Sequence, residues 1–455
     1  MPFITQAVVV LYLCFLLLSV FIPSWKANSS VEYISAGRKL TLFPFVATLV
    51  TTMYGWINGI GQLYAEYGVS AWLFLSLPYS LFAVVFAFWY AAKARNSSFQ
   101  TLPDLLDFHY GKKVAGLGAL LIVVFTAPAM YLLMTMQILH FIWPVNKIVL
   151  IVIVTLISTL YILRGGLKAV VKSDVIQFVL MFGGFVLVLY QLYATYGTAP
   201  LHSLPADKTA FTSGPSGWYV GSWFLFAAVV LIDPNYYQRV YSAQSVATAK
   251  YGLLLSVLCW TIFDFLAATT ALYAIHILPA DTDTSSIYLS LGSLALSPLA
   301  AGIFFTAILA TVISTANGFL FTSSISISKD LLHRNGWFSS QTIEQLTHKV
   351  ILFVAFVNAA VCVVYRNNTA VDLFFDLAPY AVSALLLPVL LSYTRFKLSG
   401  KAVLVQSLLS LAGAFLANVY TIQYYGAQFT YAVVYIGLTI SLLCHIVLYH
   451  IGTRT

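Results

Sequence analysis

The feature that most constrains this chain is a succession of apolar segments, each long enough to cross a lipid bilayer as a helix. A membrane-spanning helix needs roughly 20 apolar residues, because each residue adds ~1.5 Å to its length and the hydrocarbon core is ~30 Å thick. We predict such segments at residues 5 to 23, 43 to 65, 70 to 92, 114 to 142, 147 to 164, 171 to 196, 218 to 238, 250 to 277, 297 to 327, 347 to 365, 371 to 394, 402 to 422 and 429 to 449. The sequence therefore predicts an all-α polytopic membrane protein with about 13 transmembrane helices.

Composition excludes the main alternative classes. Hydrophobic residues make up 61% of the chain and charged residues 8%, whereas a soluble domain carries about 25% charged residues. The net charge of +8 is spread singly over short loops and forms no basic stripe, so we expect the lipid bilayer as partner and no nucleic acid. No loop is long enough for a second folded domain, which predicts one membrane domain over residues 1 to 455. No obligatory protein partner is evident.

The basic residues predict the orientation. An odd number of spans places the two termini on opposite sides of the membrane. With the N-terminus outside, all but three of the 22 lysines and arginines fall in inside loops, the exceptions being Lys147, Lys208 and Arg366. Cytoplasmic loops are enriched in basic residues. We therefore expect a multi-pass protein of the cell membrane, plasma or inner, with its C-terminus in the cytoplasm.

One span is unusually rich in hydroxyl groups. The stretch from Thr311 to Ser328 reads TVISTANGFLFTSSISIS and holds eight of them before the first charge. At helical spacing six small or polar residues share one face: Thr311, Ser314, Thr315, Gly318, Thr322 and Ser326. Such a face either packs closely against another helix or supplies oxygen ligands to a hard cation. The pattern alone leaves both interpretations open.

The second span predicts a broken helix. It reads FPFVATLVTTMYGWINGIGQLYAEYG, with Gly55, Gly59 and Gly61 near its middle. Glycines there weaken a helix, and Gly55 with Gly59 also fits a close-approach motif between helices. Polar residues cluster around them: Thr51, Thr52, Asn58 and Gln62. A discontinuous helix beside polar side chains is how transporters expose backbone groups to ions and solutes.

Four further polar residues lie within or beside spans. Asp174 and Gln177 open the sixth span in GGLKAVVKSDVIQF. Arg239 ends the seventh span in DPNYYQRVYSAQS, and we interpret it as a cytoplasmic anchor, since charges at span ends usually snorkel to water. Asp264 lies mid-span and needs a partner or water, so it is either a hydrogen-bonded structural group or a proton or ion relay.

Together these segments resemble a known family. RGGLKAVVKSDVIQ resembles the GG-x-x-A-V-x-x-T/S-D-x-x-Q signature of the sodium:solute symporter family, and DPNYYQRVYSAQS resembles its Q-R-x-x-S-A-x-S junction. FFTAILATVISTANGFLFTSSISISKDLL is similar to the family's hydroxyl-rich helix, and YISAGRKL and TLPDLLDFHYGKK also resemble family segments. The resemblance runs in order from about Glu32 to Arg395.

The resemblance implies an architecture and an activity. The fold would be the LeuT type, with two inverted five-helix repeats at about 43 to 196 and 218 to 394. Accessory helices would lie at about 5 to 23, 402 to 422 and 429 to 449. Members of the family couple solute uptake to the sodium gradient by alternating access.

The resemblance also implies a sodium site between the second and ninth spans. Its ligands would be the carbonyls of Val50, Met53 and Thr311 and the hydroxyls of Ser314 and Thr315. Five neutral oxygens can replace the hydration shell of a monovalent ion without holding it too tightly. The coupling ion would be sodium.

Two departures from the family pattern refine this expectation. Members that bind a second sodium use serines where this chain has Asn317 and Gly318. We therefore expect one sodium per cycle, with Asp174 serving ion release on the cytoplasmic side. Proline carriers have an acid where this chain has Thr52, and the region around Phe226 and Val230 is more apolar here, which disfavours proline.

The solute pocket is expected near mid-membrane. Its candidate residues are Trp56, Asn58, Gln62, Gln137, Phe226 and Tyr380. Each could equally be a packing residue. The spans show no buried Arg or Lys facing this region, so a di- or tricarboxylate would lack a partner cation. The expected solute is a small neutral, zwitterionic or monoanionic molecule such as a sugar, amino acid or vitamin.

Two other function classes compete with symport. A membrane sensor with a transporter-like input domain would bind solute without net transport. A membrane-embedded enzyme would need a reactive His, Ser or metal cluster at depth, and His140 and His276 are isolated near span ends. Symport is the prediction, with the sensor as the alternative and no enzymatic activity expected.

Overall fold

The computed structural model describes residues 1–19, 21–338, 340–367, 378–425 and 433–452. Residue 20 of the first predicted span, the first residues of the predicted spans 371 to 394 and 429 to 449, and Arg454 lie outside this part of the chain. The described part is helical, and its β-structure is limited to an isolated bridge between Leu40 and Ala243.

Helices occupy the predicted spans throughout the described residues. Those of the first half are α1 (Phe3–Ser19), α2 (Ser30–Ser35), α3 (Leu42–Met53), α4 (Ile57–Tyr67), α5 (Ala71–Val85), α6 (Ala91–Asn96), α7 (Leu102–Tyr110), α8 (Lys112–Phe125), α9 (Ala129–Ile142) and α10 (Lys147–Tyr196). Those of the second half are α11 (Ala199–His202), α12 (Ala206–Thr209), α13 (Gly217–Ala227), α14 (Pro234–Ser242), α15 (Val246–Ile277), α16 (Ile287–Ala295), α17 (Pro298–Ile325), α18 (Ile343–Val364), α19 (Ala378–Leu391), α20 (Gly400–Tyr425) and α21 (Val433–Gly452).

Nine helical segments of the described chain are long and apolar enough to cross a membrane. They are Ile57–Asn96, Lys112–Ile142, Ile162–Tyr196, Gly217–Ser242, Val246–Ile277, Pro298–His333, Ile343–Val364, Gly400–Thr421 and Val433–Gly452. Four shorter apolar helices add to them: Phe3–Ser19, Leu42–Met53, Lys147–Leu160 and Ala378–Leu391. The fold class of an all-α polytopic membrane protein is confirmed, while the count of thirteen crossings stays a prediction.

The helix α17 forms the centre of the bundle. The apolar window of Pro298–His333 is 89% buried, whereas that of Val433–Gly452 at the periphery is only 22% buried. Helix α10 packs closely against α17, because Gly184 of α10 has no side chain. A Cβ there would lie 2.3 Å from the Cβ of Ala307. Since α3 packs against α10, α15 and α17, the broken span is held in the interior.

Two breaks interrupt helices in the buried interior of the bundle. The first separates α3 from α4 at residues 54–56, as the three glycines predicted. The second follows α13, where Asp233 caps α14 by accepting a hydrogen bond from the Asn235 amide at 2.7 Å. Pro234 is the first residue of α14, and a proline disfavours helical geometry in the residue before it. Both breaks bring backbone and polar side chains to the buried core.

A third interruption lies at Gly166 inside α10. Its backbone has φ 55° and ψ −141°, which side chains other than glycine rarely adopt. A Cβ at this position would also lie 2.4 Å from the carbonyl oxygen of Tyr33. The interruption falls between the predicted spans 147 to 164 and 171 to 196, and it sets the direction of the segment that carries Asp174.

Candidate functional site

Two hydroxyls of α17 contact the last turn of α3. The Ser314 hydroxyl donates to Thr51 Oγ1 at 3.0 Å or to Asp174 Oδ1 at 2.7 Å. The Thr315 hydroxyl lies 3.1 Å from the Thr52 carbonyl oxygen. All of these residues are buried. The hydroxyl-rich face of α17 therefore meets the broken span, as the resemblance implied.

This approach depends on the glycine at the break. A Cβ on Gly55 would lie 2.4 Å from both Cβ and Oγ1 of Thr315. Real Cβ atoms do not come so close, so a larger residue would push α17 away from the break. Gly55 therefore allows α17 to pack closely against the broken span, and it also lies at the break between α3 and α4.

The predicted carbonyl ligands lie around these hydroxyls. Val50 and Met53 flank Thr51 and Thr52 in the last turn of α3, and Val50 is fully buried. The Thr311 carbonyl already accepts a bond from Thr315 Oγ1 at 3.2 Å, and the Thr311 hydroxyl donates back to Ala307 O at 2.7 Å. The structure brings all five predicted ligand residues to one contact between α3 and α17.

Asp174 belongs to the same cluster. Its side chain is fully buried and accepts hydrogen bonds from Ser314 and Thr48. One carboxylate therefore borders the neutral oxygens of the predicted site. Gln177, three residues on, donates to the Tyr12 hydroxyl at 2.9 Å and so ties α1 to α10.

The interpretation of Arg239 as a cytoplasmic anchor was wrong. Its side chain is fully buried and reaches Asn235 Oδ1 at 3.0 Å, Gln238 Oε1 at 3.2 Å, Thr52 Oγ1 at 3.3 Å and Thr48 Oγ1 at 3.4 Å. The span-end rule assumes that the helix leaves the membrane at its end. Here the chain breaks at Asp233 and α14 continues through the interior, with all of its residues buried.

Arg239 also corrects the expectation that no basic residue faces this region. The guanidinium lies close enough to Asp174 and Asp233 for its charge to act on both carboxylates. It thereby links the cluster around Ser314 to the second helix break. The arrangement is a buried charge network, and such groups in membrane proteins mark ion and substrate pathways.

Two cavities adjoin the α3–α4 break. The first, which we call the Asp264 cavity, has a volume of about 30 Å³ and is lined by Met53, Tyr54, Trp56, Ile60, Leu75, Ser76, Tyr79, Ser80, Trp260 and Asp264. The second, the Asp233 cavity, has a volume of about 50 Å³ and is lined by Leu49, Thr52, Met53, Trp56, Tyr79, Phe125, Tyr131, Val229, Asp233, Asn235, Tyr236 and Phe319. Met53, Trp56 and Tyr79 belong to both linings, so they separate the two spaces.

Of the predicted solute residues, Trp56 lies in both cavity linings. It stacks on Trp223 with ring centroids 5.9 Å apart. Phe226 packs edge-on against Tyr79, a residue shared by the two linings.

The other predicted solute residues lie elsewhere in the described structure. Gln62 donates to Glu66 Oε1 at 2.8 Å at an exposed position. Asn58, Gln137 and Tyr380 are partly buried and do not belong to either lining.

Sequence reasoning missed most of the cavity walls. Tyr79 and Tyr131 come from two different helices and belong to no motif. Asp233, Asn235 and Tyr236 lie within DPNYYQR, a polar and aromatic run after an apolar one. That run signalled a buried polar turn rather than the end of a span.

A separate charge cluster joins α7 to the end of the central helix. The Asp104 carboxylate contacts Lys329 Nζ at 2.5 Å and Arg334 Nη2 at 2.5 Å, and Arg334 also reaches Asp330 Oδ1 at 2.7 Å. Burial acts to raise the pKa of Asp104, but the two cations and the Gln100 amide outweigh it and hold this pKa below its ordinary value.

Comparison with known proteins finds a matching family model and several relatives. A model of the sodium:solute symporter family matches residues 33–409. The human high affinity choline transporter 1 is 30% identical over 274 residues, which are 55% of this chain and 46% of the relative, so this chain spans about half of that relative's length. The sodium/pantothenate symporter of Haemophilus influenzae is 24% identical over 331 residues, 68% of each protein.

A solved structure shares the whole fold. A Na⁺-coupled sialic acid symporter in a substrate-bound outward-open state superimposes with a TM-score of 0.81, covering 99% of this chain and 98% of the other at 16% identity. Its likeness shows the fold alone. The relatives are described as transporters and symporters, which fits the expectation of no enzymatic activity and lends no support to a sensor.

Proposed function

This chain belongs to the sodium:solute symporter family, and on that premise we propose that it carries a small organic solute across a cell membrane together with sodium. The observation that carries the proposal is the contact of Ser314 and Thr315 with Thr51 and Thr52 beside the α3–α4 break. It joins a row of neutral oxygens to an interrupted helix, the arrangement that transporters use for coupling ions.

The proposed sodium ligands are the carbonyls of Val50, Met53 and Thr311 and the hydroxyls of Ser314 and Thr315. Sodium is a hard cation and prefers oxygen ligands. The hydroxyls now bond to neighbouring oxygens and could turn toward an ion instead, because a hydroxyl offers two lone pairs. The donor set therefore fits a monovalent hard cation.

We further propose one sodium per cycle. Gly318 offers no oxygen, and a Cβ built there would lie 3.3 Å from Arg239 Nη2. A fixed guanidinium at this place disfavours a second cation by like-charge repulsion. Asp174 would then assist release of the single ion, since it already shares the Ser314 hydroxyl.

The proposed architecture is a single membrane domain of thirteen helices with LeuT-type inverted repeats at about 43 to 196 and 218 to 394. Two observations support it. Nine long and four shorter apolar helices of the described residues occupy the predicted spans. The two helix breaks follow α3 and α13, the first membrane helix of each proposed repeat. Alternating access would pivot about these breaks.

We propose that the N-terminus lies outside and the C-terminus in the cytoplasm. Contacts between loops support this division. Lys147 donates to the Arg366 carbonyl at 3.3 Å, and Lys208 contacts the Glu66 carbonyl, which joins segments expected outside. Arg38 donates to the Arg95 carbonyl at 2.8 Å, which joins segments expected inside.

The proposal predicts that sodium stabilises the purified protein through Ser314 and Thr315. Thermal unfolding in NaCl against KCl should show a sodium-dependent rise in Tm. The double variant Ser314→Ala with Thr315→Ala should need at least about tenfold more sodium, because losing ~1.4 kcal/mol of binding is a factor of ten.

A matched control lies in the same helix. Ser323 and Ser324 both donate to the Leu320 carbonyl of their own helix, so Ser323→Ala with Ser324→Ala removes two hydroxyls without touching the site. This variant should keep the sodium response of the unaltered protein. An unchanged response in the Ser314 and Thr315 variant would refute the sodium site.

A further inference from the structure

We propose that Asp264 binds a proton in the folded protein and acts as a neutral carboxylic acid, which donates a hydrogen bond to Tyr54 beside the α3–α4 break. The inference goes beyond the proposed symport function, because Asp264 belongs neither to the proposed sodium ligands nor to the Asp233 cavity. It decides between the two roles that the sequence leaves open for this residue, in favour of a hydrogen-bonded structural group.

Two acceptors compete for the single hydrogen of the Tyr54 hydroxyl. Its oxygen lies 2.9 Å from the carbonyl oxygen of Trp260 and 2.8 Å from Oδ1 of Asp264. A phenol donates one hydrogen, and a backbone carbonyl only accepts. When Tyr54 donates to Trp260, its contact with Asp264 is a hydrogen bond only if the carboxyl group carries a hydrogen. An ionised Asp264 would leave one of the two contacts without any hydrogen between the oxygens.

No Lys, Arg or His of the described chain forms an ion pair with Asp264, which is 3% exposed. Its helix α15 packs against α3, α4, α5 and α16. The titratable side chains that these segments bring near Asp264 are all tyrosines: Tyr54, Tyr64, Tyr79 and Tyr288. A buried carboxylate is costly in a membrane protein without an opposite charge, and a bound proton removes this cost.

The cavity beside Asp264 suits water rather than a solute. Its volume of about 30 Å³ has room for about one or two water molecules. The hydroxyls of Ser76 and Ser80 line it, and so does Trp260, whose buried indole N–H has no hydrogen-bond partner among the described residues. A water in this cavity can accept the hydrogen of Trp260 and donate to the second oxygen of Asp264. A neutral acid and a water can therefore satisfy these polar groups without an ion.

The bound proton would tie the broken span to α15. Trp260 and Asp264 lie four residues apart in α15, so they occupy the same face of this helix. A chain of hydrogen bonds from Asp264 through Tyr54 to Trp260 would hold the Tyr54 side chain against that face. Tyr54 directly follows Met53, a proposed sodium ligand at the end of α3. Asp264 is therefore a positioning residue, which acts on the proposed sodium site through Tyr54.

Infrared spectroscopy tests the proton directly, because a protonated carboxylic acid has a C=O stretching band that an ionised carboxylate lacks. The purified full chain is measured near neutral pH in a detergent without ester groups, whose carbonyl bands would overlap. The spectrum of Asp264→Asn is then subtracted from that of the unaltered protein. We expect one carboxylic acid band in the difference spectrum.

Two further variants assign the band and its hydrogen bond. Tyr54→Phe removes the hydroxyl that would accept from Asp264, so the carboxylic acid band should shift. Asp281→Asn makes the same change as Asp264→Asn at an exposed loop position, and it should leave the band of the unaltered protein unchanged.

Thermal unfolding of two Asp264 variants separates a neutral donor from a needed negative charge. The amide of asparagine is uncharged and can donate to Tyr54 as a protonated carboxyl group does. Asp264→Asn should therefore keep the Tm and the sodium response of the unaltered protein. Asp264→Ala has no donor at this place and should lower the Tm.

Three results would overturn the inference. A difference spectrum without a carboxylic acid band would show that Asp264 is ionised, and a band that Tyr54→Phe does not shift would show that the proton is not donated to Tyr54. An Asp264→Asn variant that is no more stable than Asp264→Ala would show that the fold needs the negative charge. The infrared measurement requires neither solute nor sodium, so its outcome is separate from success or failure of the proposed symport function.

Discussion

At the scale of single residues, the site depends on one contact between a glycine and a threonine. Gly55 lies so close to Thr315 that no side chain fits between α17 and the broken span. The contact places the Thr315 hydroxyl beside the Thr52 carbonyl. It therefore fixes both the helix approach and the proposed ligand geometry.

Replacing Gly55 by alanine should disrupt the site. The added methyl group would meet Thr315 at 2.4 Å, and relieving such an overlap in a packed core typically costs about 1–3 kcal/mol. We expect a lower Tm and a sodium response weakened at least about tenfold in the thermal-shift assay.

The control is a glycine with free space around it. A Cβ at Gly183 in α10 meets nothing within 4 Å, so Gly183→Ala should leave both readouts unchanged. A normal sodium response in Gly55→Ala would show that the close contact is not needed for ion binding.

The sequence predicted the surroundings of single residues less well than it predicted the helices. Ser314 and Thr315 were predicted as site residues because they lie in a short segment that resembles a family motif. Such a segment is a local pattern along one helix, which the sequence displays directly. Arg239 was misassigned, since its burial depends on the direction that α14 takes after the break. The hydrogen bond from Tyr54 to Asp264 joins residues 210 positions apart, and no local pattern reports it.

At the scale of elements, the ion cluster around Asp104 holds α7 against the end of the central helix. Asp104 has two roles, since it also accepts from the amides of Gln100 and Thr101 at the start of α7. Loss of its charge would weaken both the helix cap and the ion pairs with Lys329 and Arg334.

This cluster predicts a pH-dependent stability. The pKa of Asp104 is lower in the folded protein than in an unfolded chain, so its contribution is fully present above the unfolded value of about 3.9. It is lost as the pH falls through the folded value. Asp104→Asn should cost about 1–3 kcal/mol at pH 7, and the deficit should shrink below about pH 4.

Thermal unfolding between pH 7 and pH 3 measures this dependence. Asp207→Asn is the control, because the Asp207 side chain is 62% exposed and lies 3.9 Å from its neighbour Lys208. A deficit that grows as the pH falls would contradict the assigned sign.

Elements were predicted more reliably than residues. Every predicted span holds a helix in the described residues, because span length and hydropathy are set by the bilayer. The break after α3 followed from its glycines. The break at Asp233 was not anticipated, since the preceding run is apolar and the polar residues after it resembled a span end.

At the scale of the whole molecule, the fold brings the proposed ion site and the two cavities to the same helix break. Met53 takes part in all three, as a proposed ligand and as a wall of both cavities. In the proposed mechanism, this arrangement would couple an ion to a solute through the end of one helix. No span by itself contains this information, because it arises from the packing of α3, α10, α15 and α17.

The most direct test of the central claim is solute accumulation in sealed proteoliposomes. Radiolabelled choline, pantothenate and proline are each offered under an inward sodium gradient and under a matched potassium gradient. We predict that sodium drives accumulation of at least one of these solutes, that a sodium ionophore abolishes it, and that Ser314→Ala with Thr315→Ala loses it. Sodium-independent uptake, or binding of solutes without any accumulation, would contradict the account.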